Sequence, residues 1–230
     1  MRYVIGCGRM AAVGIMILVI LFILLVLFPL VGRKGRGRCV RRVCRVLMRV
    51  LGVRMTVRGA VPVAQSAECG VNGEGPGYMV CANHVSFIDI FILDAVLPCR
   101  FVAKKEIASW PVFGFIARGT GTLFIDRSRK RAVLEIADAM AGAINEGTNV
   151  LFFPEGTTGN GLELLPFHPN LFEAAVRSGA QILPVTLRYT LDGKPSGLVS
   201  YAGDVALFTV LKRIPVSYTH LRAHETEADL

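Results

Sequence analysis

The chain of 230 residues lacks the spacings that mark several common functional classes. Its six cysteines form no C-x2-C pair, which argues against zinc, and a cytosolic setting would keep them reduced. There is no G-x-S-x-G motif, which argues against a serine hydrolase. We expect neither a metal site nor a disulfide, and no motif implies an organic cofactor.

Charged residues are missing from the long segment Met10 to Gly32. A helix rises 1.5 Å per residue, so this segment is long enough to cross about 30 Å of hydrocarbon. It is too long for a signal-peptide core, and an Arg-rich stretch follows it instead of an A-x-A-like cleavage site. We expect residues 1–32 to form an uncleaved transmembrane or membrane-embedded anchor, with Pro29 as a site for a kink.

Acidic residues are missing from the next segment, Arg33 to Arg58, which carries ten Arg or Lys. Only Arg2 and Arg9 precede the apolar segment, so the positive-inside bias predicts a main domain on the cytoplasmic face of the membrane. The net charge of the whole chain is +9, so the rest of the chain is nearly neutral. Anionic lipid headgroups are the expected partner of this segment.

Residues 33–52 have the periodicity of an amphipathic helix, with arginines on the side opposite to the apolar residues. The apolar positions are Val40, Val43, Leu47, Val50 and Leu51. A helix of this kind is typical of the membrane interface. A nucleic-acid patch would need stacking aromatics, and Arg33 to Arg58 contains none. We predict a basic amphipathic interfacial helix and no nucleic-acid partner.

Beyond Val53, short apolar runs alternate with helical stretches, a pattern typical of an α/β domain with a largely parallel sheet flanked by helices. The predicted helices are Arg129 to Asn145 and Leu171 to Ser178. We expect one domain over residues 53–214. The predicted strands are Val53 to Val57, Tyr78 to Ala82, Arg100 to Ala103, Thr122 to Ile125, Val150 to Phe153 and Ile182 to Arg188.

A histidine and an aspartate stand five positions apart in the segment 83–89, N-H-V-S-F-I-D. In a continuous helix the two side chains would point about 140° apart, so their contact requires a strand, a turn and then a helix. A histidine can take a proton from an alcohol, and a carboxylate on its far nitrogen fixes the tautomer and stabilises the imidazolium. We predict that His84 is a general base oriented by Asp89.

A second motif, F-P-E-G-T-T at residues 153–158, ends an apolar strand with a proline, an acid, a glycine and two hydroxyls. This is loop chemistry at a strand end, where proteins built on parallel sheets place their ligands. The two motifs together are far more specific than a histidine and an aspartate alone.

The motifs resemble those of the glycerolipid acyltransferase family, over roughly Val53 to Asp204. The segment A-K-K-E at residues 103–106 is also typical of that family. Four blocks stand in the family's order: Asn83-His84-x4-Asp89, Gly121 to Arg127, Phe153 to Thr157 and Ile182 to Val185. The resemblance implies transfer of a fatty acyl group from acyl-CoA or acyl carrier protein to the free hydroxyl of 1-acyl-glycerol-3-phosphate, giving phosphatidic acid.

The resemblance also implies roles in substrate binding. Arg127 would bind the acceptor's phosphate, with Lys104 as a second candidate, and Glu155 would contribute to acceptor binding. Backbone N–H groups around Gly156 and Thr157 are candidate donors to the oxyanion. Plainer interpretations remain open, because either cation could be a solvated surface residue and Glu155 could cap the following turn.

Three other residues are predicted to have structural roles. Alternation along its strand makes Cys81 a buried core residue rather than a nucleophile. His168, after Phe167 and Pro166, is predicted to lie in a turn rather than to act as a second base. Pro184 is predicted to shape a strand end.

Two other functions fit the same residues. The first is acylation of another lysolipid, such as a lyso-ornithine lipid, because acceptor identity depends on pocket shape. The second is a catalytically silent membrane protein that binds lipid. The presence of His84, Asp89, Glu155 and Gly156 favours an active enzyme.

The sequence turns polar and loses its periodicity after Ile214. Residues 215–230 resemble translated sequencing-adapter read-through, so we expect a non-native tail and a missing terminal strand. On that interpretation His220 and His224, despite their i, i+4 spacing, are not metal ligands.

Overall fold

The computed structural model describes residues 2–59, 76–126, 128–191, 193–200 and 221–225. The N-terminal segment is helical, with α1 at Arg2–Phe22, a π-helical turn at Ile23–Leu27 and α2 at Phe28–Leu30. Pro29 has no N–H for the carbonyl of Leu25 and its ring crowds that carbonyl, which explains why the helix widens before it. The π-helical turn therefore stands where the sequence predicts a kink.

The apolar part of this helical segment, Ala11–Leu30, has a mean hydropathy of 3.3. Only 11% of it is buried within the protein, whereas the core helix of a soluble domain would be mostly buried. Leu18 and Phe22 are among its exposed side chains. By length and composition this helix can cross a membrane.

Helix α3, Arg33–Leu51, ends at Gly52, which adopts the left-handed conformation with φ of 77°. The side chains of Cys44, Leu47, Met48 and Leu51 are buried, and α3 packs against α4, Ile88–Val96. The helix is present where the sequence predicts it, and its location at the membrane interface stays a prediction. Its central apolar residues pack on the domain. Five arginines and Val46 are exposed on the helix: Arg36, Arg38, Arg42, Arg45 and Arg49.

Five parallel strands form the main sheet, in the order β4-β3-β5-β2-β6. The strands are β2 at Met79–Ala82, β3 at Arg100–Lys104, β4 at Leu123–Ile125, β5 at Val150–Phe152 and β6 at Ile182–Val185. The central strands β2 and β5 are fully buried, as expected of a parallel sheet covered on both faces. The predicted fold class is confirmed.

Helices cover both faces of this sheet, and alternation along β2 shows how. Val80 and Ala82 belong to the core shared with α3 and α4. Met79 and Cys81 belong to the core shared with α6, Lys130–Asn145, and α7, Glu173–Ser178. Cys81 is thus a buried core residue, as predicted. A further helix, α5 at Pro111–Gly119, follows β3.

A second, mixed sheet has the order β1-β9-β7-β8, and the sequence does not predict it. Its strands are β1 at Val53–Val57, β7 at Arg188–Leu191, β8 at Lys194–Pro195 and β9 at Leu221–Glu225. The predicted strand Val53 to Val57 exists but belongs here. Strand β9, between β1 and β7, lies where the sequence predicts no regular element. The non-native origin of residues 215–230 stays a prediction.

The predicted strand Ile182 to Arg188 is divided between the two sheets, and Asn83 explains where. Its side-chain oxygen accepts the N–H of Leu187 at 2.6 Å, and its side-chain nitrogen donates to the carbonyl of Leu187 at 3.0 Å. The side chain therefore occupies both backbone groups of Leu187 that a strand would pair. The chain leaves the first sheet at this point and enters the second.

Candidate active site

The histidine and aspartate of the first motif meet at the carboxyl edge of the main sheet. Strand β2 ends at Ala82 and α4 begins at Ile88, so the loop between them carries His84 and the first turn of α4 carries Asp89. Nδ1 of His84 lies 2.8 Å from Oδ2 of Asp89. The predicted contact is therefore present, and the helix N-terminus favours the carboxylate.

The carboxylate of Asp89 is fully buried and accepts hydrogen bonds at both oxygens. Besides His84, Oδ2 accepts the backbone N–H groups of Val85 at 2.7 Å and Ser86 at 2.9 Å. Oδ1 accepts the hydroxyl of Tyr189. A buried charge requires such partners. Because the carboxylate can only accept, the His84 nitrogen facing it carries a proton, which leaves Nε2 of a neutral His84 as the basic nitrogen.

His84 is held in place by a stacking contact of its ring and by two hydrogen bonds of its backbone. It stacks on Phe153, with ring centroids 3.8 Å apart and planes at 10°. The His84 N–H donates to Oε1 of Glu155 at 2.7 Å, and its carbonyl accepts the N–H of Gly159 at 2.7 Å. The side chain is 19% exposed, so the base reaches solvent while its orientation is fixed.

Glu155 contacts the backbone of His84. Its carboxylate is buried, and its two oxygens accept the N–H groups of His84 and, at 3.0 Å, Leu165. The contacts thus tie the loop after β5 to the backbone of His84. Binding of an acceptor by Glu155 stays a prediction, and such a contact would compete with these two hydrogen bonds.

Gly156 and Thr157 form the turn that follows Glu155. Gly156 has φ of 68°, a conformation that favours glycine, and its N–H donates to the carbonyl of Phe153 at 3.0 Å. This N–H closes the turn. To act as the predicted oxyanion donor, it would have to give up its hydrogen bond to Phe153. Thr157 is exposed beside it. Because Cys81 pairs with Phe152, the two motifs begin side by side at one sheet edge.

Of the two cations predicted to bind the acceptor, only Lys104 lies within the described residues. Lys104 is exposed at the end of β3, the neighbour of β5, and so lies on the same sheet edge as the dyad. Arg127 lies outside the described residues. Asp126 precedes Arg127 in the chain. Hydrogen bonds from Lys105, the larger effect, and from Ser128 lower the pKa of Asp126 to about 2. Asp126 therefore remains ionised and fixes the end of β4 beside Lys105.

Sequence reasoning missed Tyr189 and the role of Asn83 in dividing the strand. Tyr189 stands 100 positions after Asp89 and belongs to no motif. The usable signal was a tyrosine within an apolar strand, because a buried phenol usually has a polar partner. Cys39, Cys44 and Cys81 are free thiols. Within the described ranges no cluster of His, Cys, Asp or Glu could hold a metal.

The fold and this site define a class of protein: an α/β domain with a histidine–aspartate pair at the carboxyl edge of a parallel sheet and an apolar helix at its N-terminus. A family model described as Acyltransferase matches residues 45–188, more than half of the chain and both motifs. The chain belongs to the Acyltransferase family.

Relatives within the family carry two different names. A 1-acyl-sn-glycerol-3-phosphate acyltransferase of Neisseria meningitidis serogroup B is 42% identical over 183 residues, which cover 79% of this chain and 67% of the relative. The Neisseria gonorrhoeae protein of that name is 48% identical over 60% of this chain and 54% of its own. A lyso-ornithine lipid O-acyltransferase of Pseudomonas aeruginosa is 40% identical over 64% and 57% respectively. The chain thus spans about half to two thirds of these relatives.

The fold also occurs in a solved structure. The crystal structure of the 1-acyl-sn-glycerophosphate (LPA) acyltransferase PlsC from Thermotoga maritima matches with a TM-score of 0.61. The match covers 99% of this chain and 86% of that chain, at 19% sequence identity. This likeness supports the architecture, and the family assignment rests on the sequence comparisons.

Proposed function

We propose that the protein transfers a fatty acyl group from acyl-CoA or acyl carrier protein to the free hydroxyl of 1-acyl-glycerol-3-phosphate, giving phosphatidic acid. The hydrogen bond between His84 and the buried Asp89, in a chain of the Acyltransferase family, is the observation that carries the proposal. The names of the two Neisseria relatives favour this acceptor.

In the proposed reaction, Nε2 of His84 takes the proton of the acceptor's hydroxyl as the oxygen attacks the thioester carbonyl. A carbon–oxygen bond forms, and the tetrahedral intermediate then breaks its carbon–sulfur bond. The proton on Nε2 passes to the departing thiolate. Asp89 stabilises the transient imidazolium, and no covalent acyl-enzyme is required.

The acceptor's phosphate would be recognised by cations at the same sheet edge. Lys104 is exposed there, and Arg127 follows the neighbouring strand β4 in sequence. A guanidinium offers a planar pair of donors that matches phosphate oxygens, which favours Arg127 as the principal ligand. The acceptor carries its own acyl chain, so the apolar helix Ala11–Leu30 would keep the enzyme at the membrane that holds it.

We further propose that the domain lies on the cytoplasmic face of the membrane. Ten basic residues lie between Arg33 and Arg58, directly after the apolar helix, against Arg2 and Arg9 before it. Since the apolar side of α3 packs on the domain, its exposed arginines are the groups that would meet anionic headgroups.

Acylation of a lyso-ornithine lipid is the second candidate function. It is favoured by the name of the Pseudomonas aeruginosa relative and of a Rhodobacter capsulatus relative that is 37% identical over 75% of this chain. The dyad would act in the same way, because only the acceptor differs. A lyso-ornithine lipid has no phosphate, so Arg127 would lose its proposed ligand.

The first experiment measures acyl transfer from radiolabelled acyl-CoA to each acceptor, in membranes that contain the wild type or His84→Ala. We expect faster transfer to 1-acyl-glycerol-3-phosphate and a loss of at least about 100-fold in His84→Ala, as for removal of a general base. The control is His168→Ala, an exposed histidine whose hydrogen bond to Pro154 uses only the backbone. Faster transfer to the lyso-ornithine lipid would overturn the proposed acceptor, and full activity in His84→Ala would overturn the mechanism.

A further inference from the structure

Tyr189 enters the site from the second sheet. It lies in β7, 100 positions after Asp89, and its side chain is fully buried. Its hydroxyl donates to Oδ1 of Asp89. The backbone N–H groups of Val85 and Ser86 donate to the other oxygen, Oδ2. The second sheet therefore supplies the donor for one half of the dyad's carboxylate.

The direction of this hydrogen bond is fixed by electrostatics. Burial and the negative charge of Asp89 raise the pKa of the Tyr189 phenol well above its ordinary value. The phenol therefore stays protonated at any physiological pH and can only donate to the carboxylate. Without this donor, Oδ1 would be a buried charged oxygen with a lost partner.

The backbone around Tyr189 is held by several elements. Asn83, one position before His84, grips both backbone groups of Leu187. The carbonyl of Tyr189 accepts the N–H of Ser196 at 3.0 Å, and β7 pairs with β9, placing Tyr189 opposite Ala223. The strand that carries the phenol is therefore held in place by hydrogen bonds to neighbouring segments.

On these contacts we propose that Tyr189 is a positioning residue for the dyad. Its hydroxyl fixes the rotation of the Asp89 carboxylate and stabilises the negative charge on it. Through Asp89, Tyr189 thereby sets the orientation and basicity of His84. The inference rests on the proposed function for its kinetic consequence only, because the hydrogen bond itself can be tested without turnover.

The test is Tyr189→Phe, which keeps the buried ring and removes the hydroxyl. We expect kcat to fall about ten-fold, the equivalent of one lost hydrogen bond to a charged group, with KM changed less than about two-fold. A carboxylate with fewer donors holds the proton on His84 more tightly, so the acidic limb of the pH–rate profile should move to higher pH. Tyr78→Phe is the matched control, a half-buried tyrosine packed against the same core.

A double-mutant cycle separates positioning from general destabilisation. If Tyr189 acts through Asp89, Tyr189→Phe should reduce the residual activity of Asp89→Asn far less than it reduces that of the wild type. An equal reduction in both backgrounds, or an unchanged kcat and pH profile in Tyr189→Phe, would overturn the proposal.

A measurement without substrate distinguishes failure of this inference from failure of the proposed function. In detergent-solubilised protein, the low-field proton resonance of the His84 Nδ1–H is identified by its loss in His84→Ala. Tyr189→Phe should shift this resonance, whereas Tyr78→Phe should not. An unshifted resonance in folded Tyr189→Phe would reject the inference whatever the enzyme's acceptor proves to be.

Discussion

At the scale of single residues, the site depends on carboxylates whose oxygens are all engaged. Asp89 has donors on both oxygens, and Glu155 accepts the N–H of His84 and of Leu165. Glu155 is only 4% exposed, so its two hydrogen bonds are made away from bulk water. We infer that Glu155 serves catalysis by fixing the backbone that carries the base.

Glu155→Gln tests this inference. An amide can keep one acceptor oxygen, but its NH2 group would face a backbone N–H, so one of the two hydrogen bonds is lost. We expect a loss of about 1–3 kcal/mol in the free energy of unfolding, with a fall in kcat as His84 loses its position. Denaturant titration and steady-state kinetics measure the two effects, and Glu163→Gln, exposed on the same loop, is the control.

A different result would favour the role in acceptor binding that family resemblance implies. If Glu155→Gln kept the stability of the wild type and only raised KM for the acceptor, the carboxylate would be a ligand rather than a backbone clamp. The sequence could not distinguish these roles, because an acid after a strand can turn toward a ligand or toward the neighbouring loop with the same local pattern.

At the scale of elements, α3 and α4 meet around a buried acid. Asp94 of α4 accepts the N–H of Cys99 at 3.1 Å, and burial raises its pKa to about 8. Cys44 of α3 lies in its field, and burial together with Asp94 raises the pKa of that thiol as well. Arg45 of α3 donates to the carbonyl of Ala95 at 2.8 Å. At neutral pH the acid between the helices is therefore protonated.

The raised pKa of Asp94 predicts how stability depends on pH. The folded state holds this proton more tightly than the unfolded chain, so the group's contribution is complete below about pH 4 and is lost as the pH rises toward 8. Asp94→Asn keeps an acceptor for Cys99 and removes the titration. We expect the variant to be more stable than the wild type at pH 8 by on the order of a few kcal/mol.

Unfolding midpoints of the wild type and Asp94→Asn between pH 5 and 9 would measure this effect. Asp138→Asn is the control, because Asp138 is an exposed partner of Arg177 and should leave the pH dependence unchanged. Parallel curves for Asp94→Asn and the wild type would show that Asp94 is ionised in the folded protein.

The elements of the main sheet could largely be predicted from the sequence, and their distribution between sheets could not. Apolar runs located β2, β3, β4 and β5 to within a residue or two. The run Ile182 to Arg188 showed no interruption, since the break depends on the side chain of Asn83, 104 positions away from Leu187. Periodicity reports local burial, whereas the second sheet is determined by contacts between distant segments.

At the scale of the whole molecule, the apolar helix both exposes a long apolar surface and completes the core of the domain. Val13 is buried, and Met16 and Ile17 pack against the cluster that includes Leu47 and Leu51. Leu24 also approaches Gly119 of α5, where an added Cβ would lie 3.0 Å from its side chain. The helix is therefore partly a component of the domain and partly a free apolar surface.

Deletion of residues 1–30 should have two separable effects. The shortened protein should leave the membrane pellet after an alkaline carbonate wash, and its thermal midpoint should fall because a contact of Leu47 and Leu51 is removed. Replacement of residues 1–30 by a polyleucine helix is the control, which should restore membrane attachment and only part of the stability. Retention of the shortened protein in the washed pellet would point to a second membrane-binding surface.

The long separations across the site have a consequence for how the protein folds. His84 meets Asp89 within five positions, but it meets Glu155 across 71, and Asp89 meets Tyr189 across 100. Folding slows as contacting residues lie further apart in the chain, because loop entropy is lost before such contacts form. The dyad can form early from one short segment, while the contacts that align it are acquired late. We therefore expect recovery of activity after denaturation to lag behind recovery of helical structure.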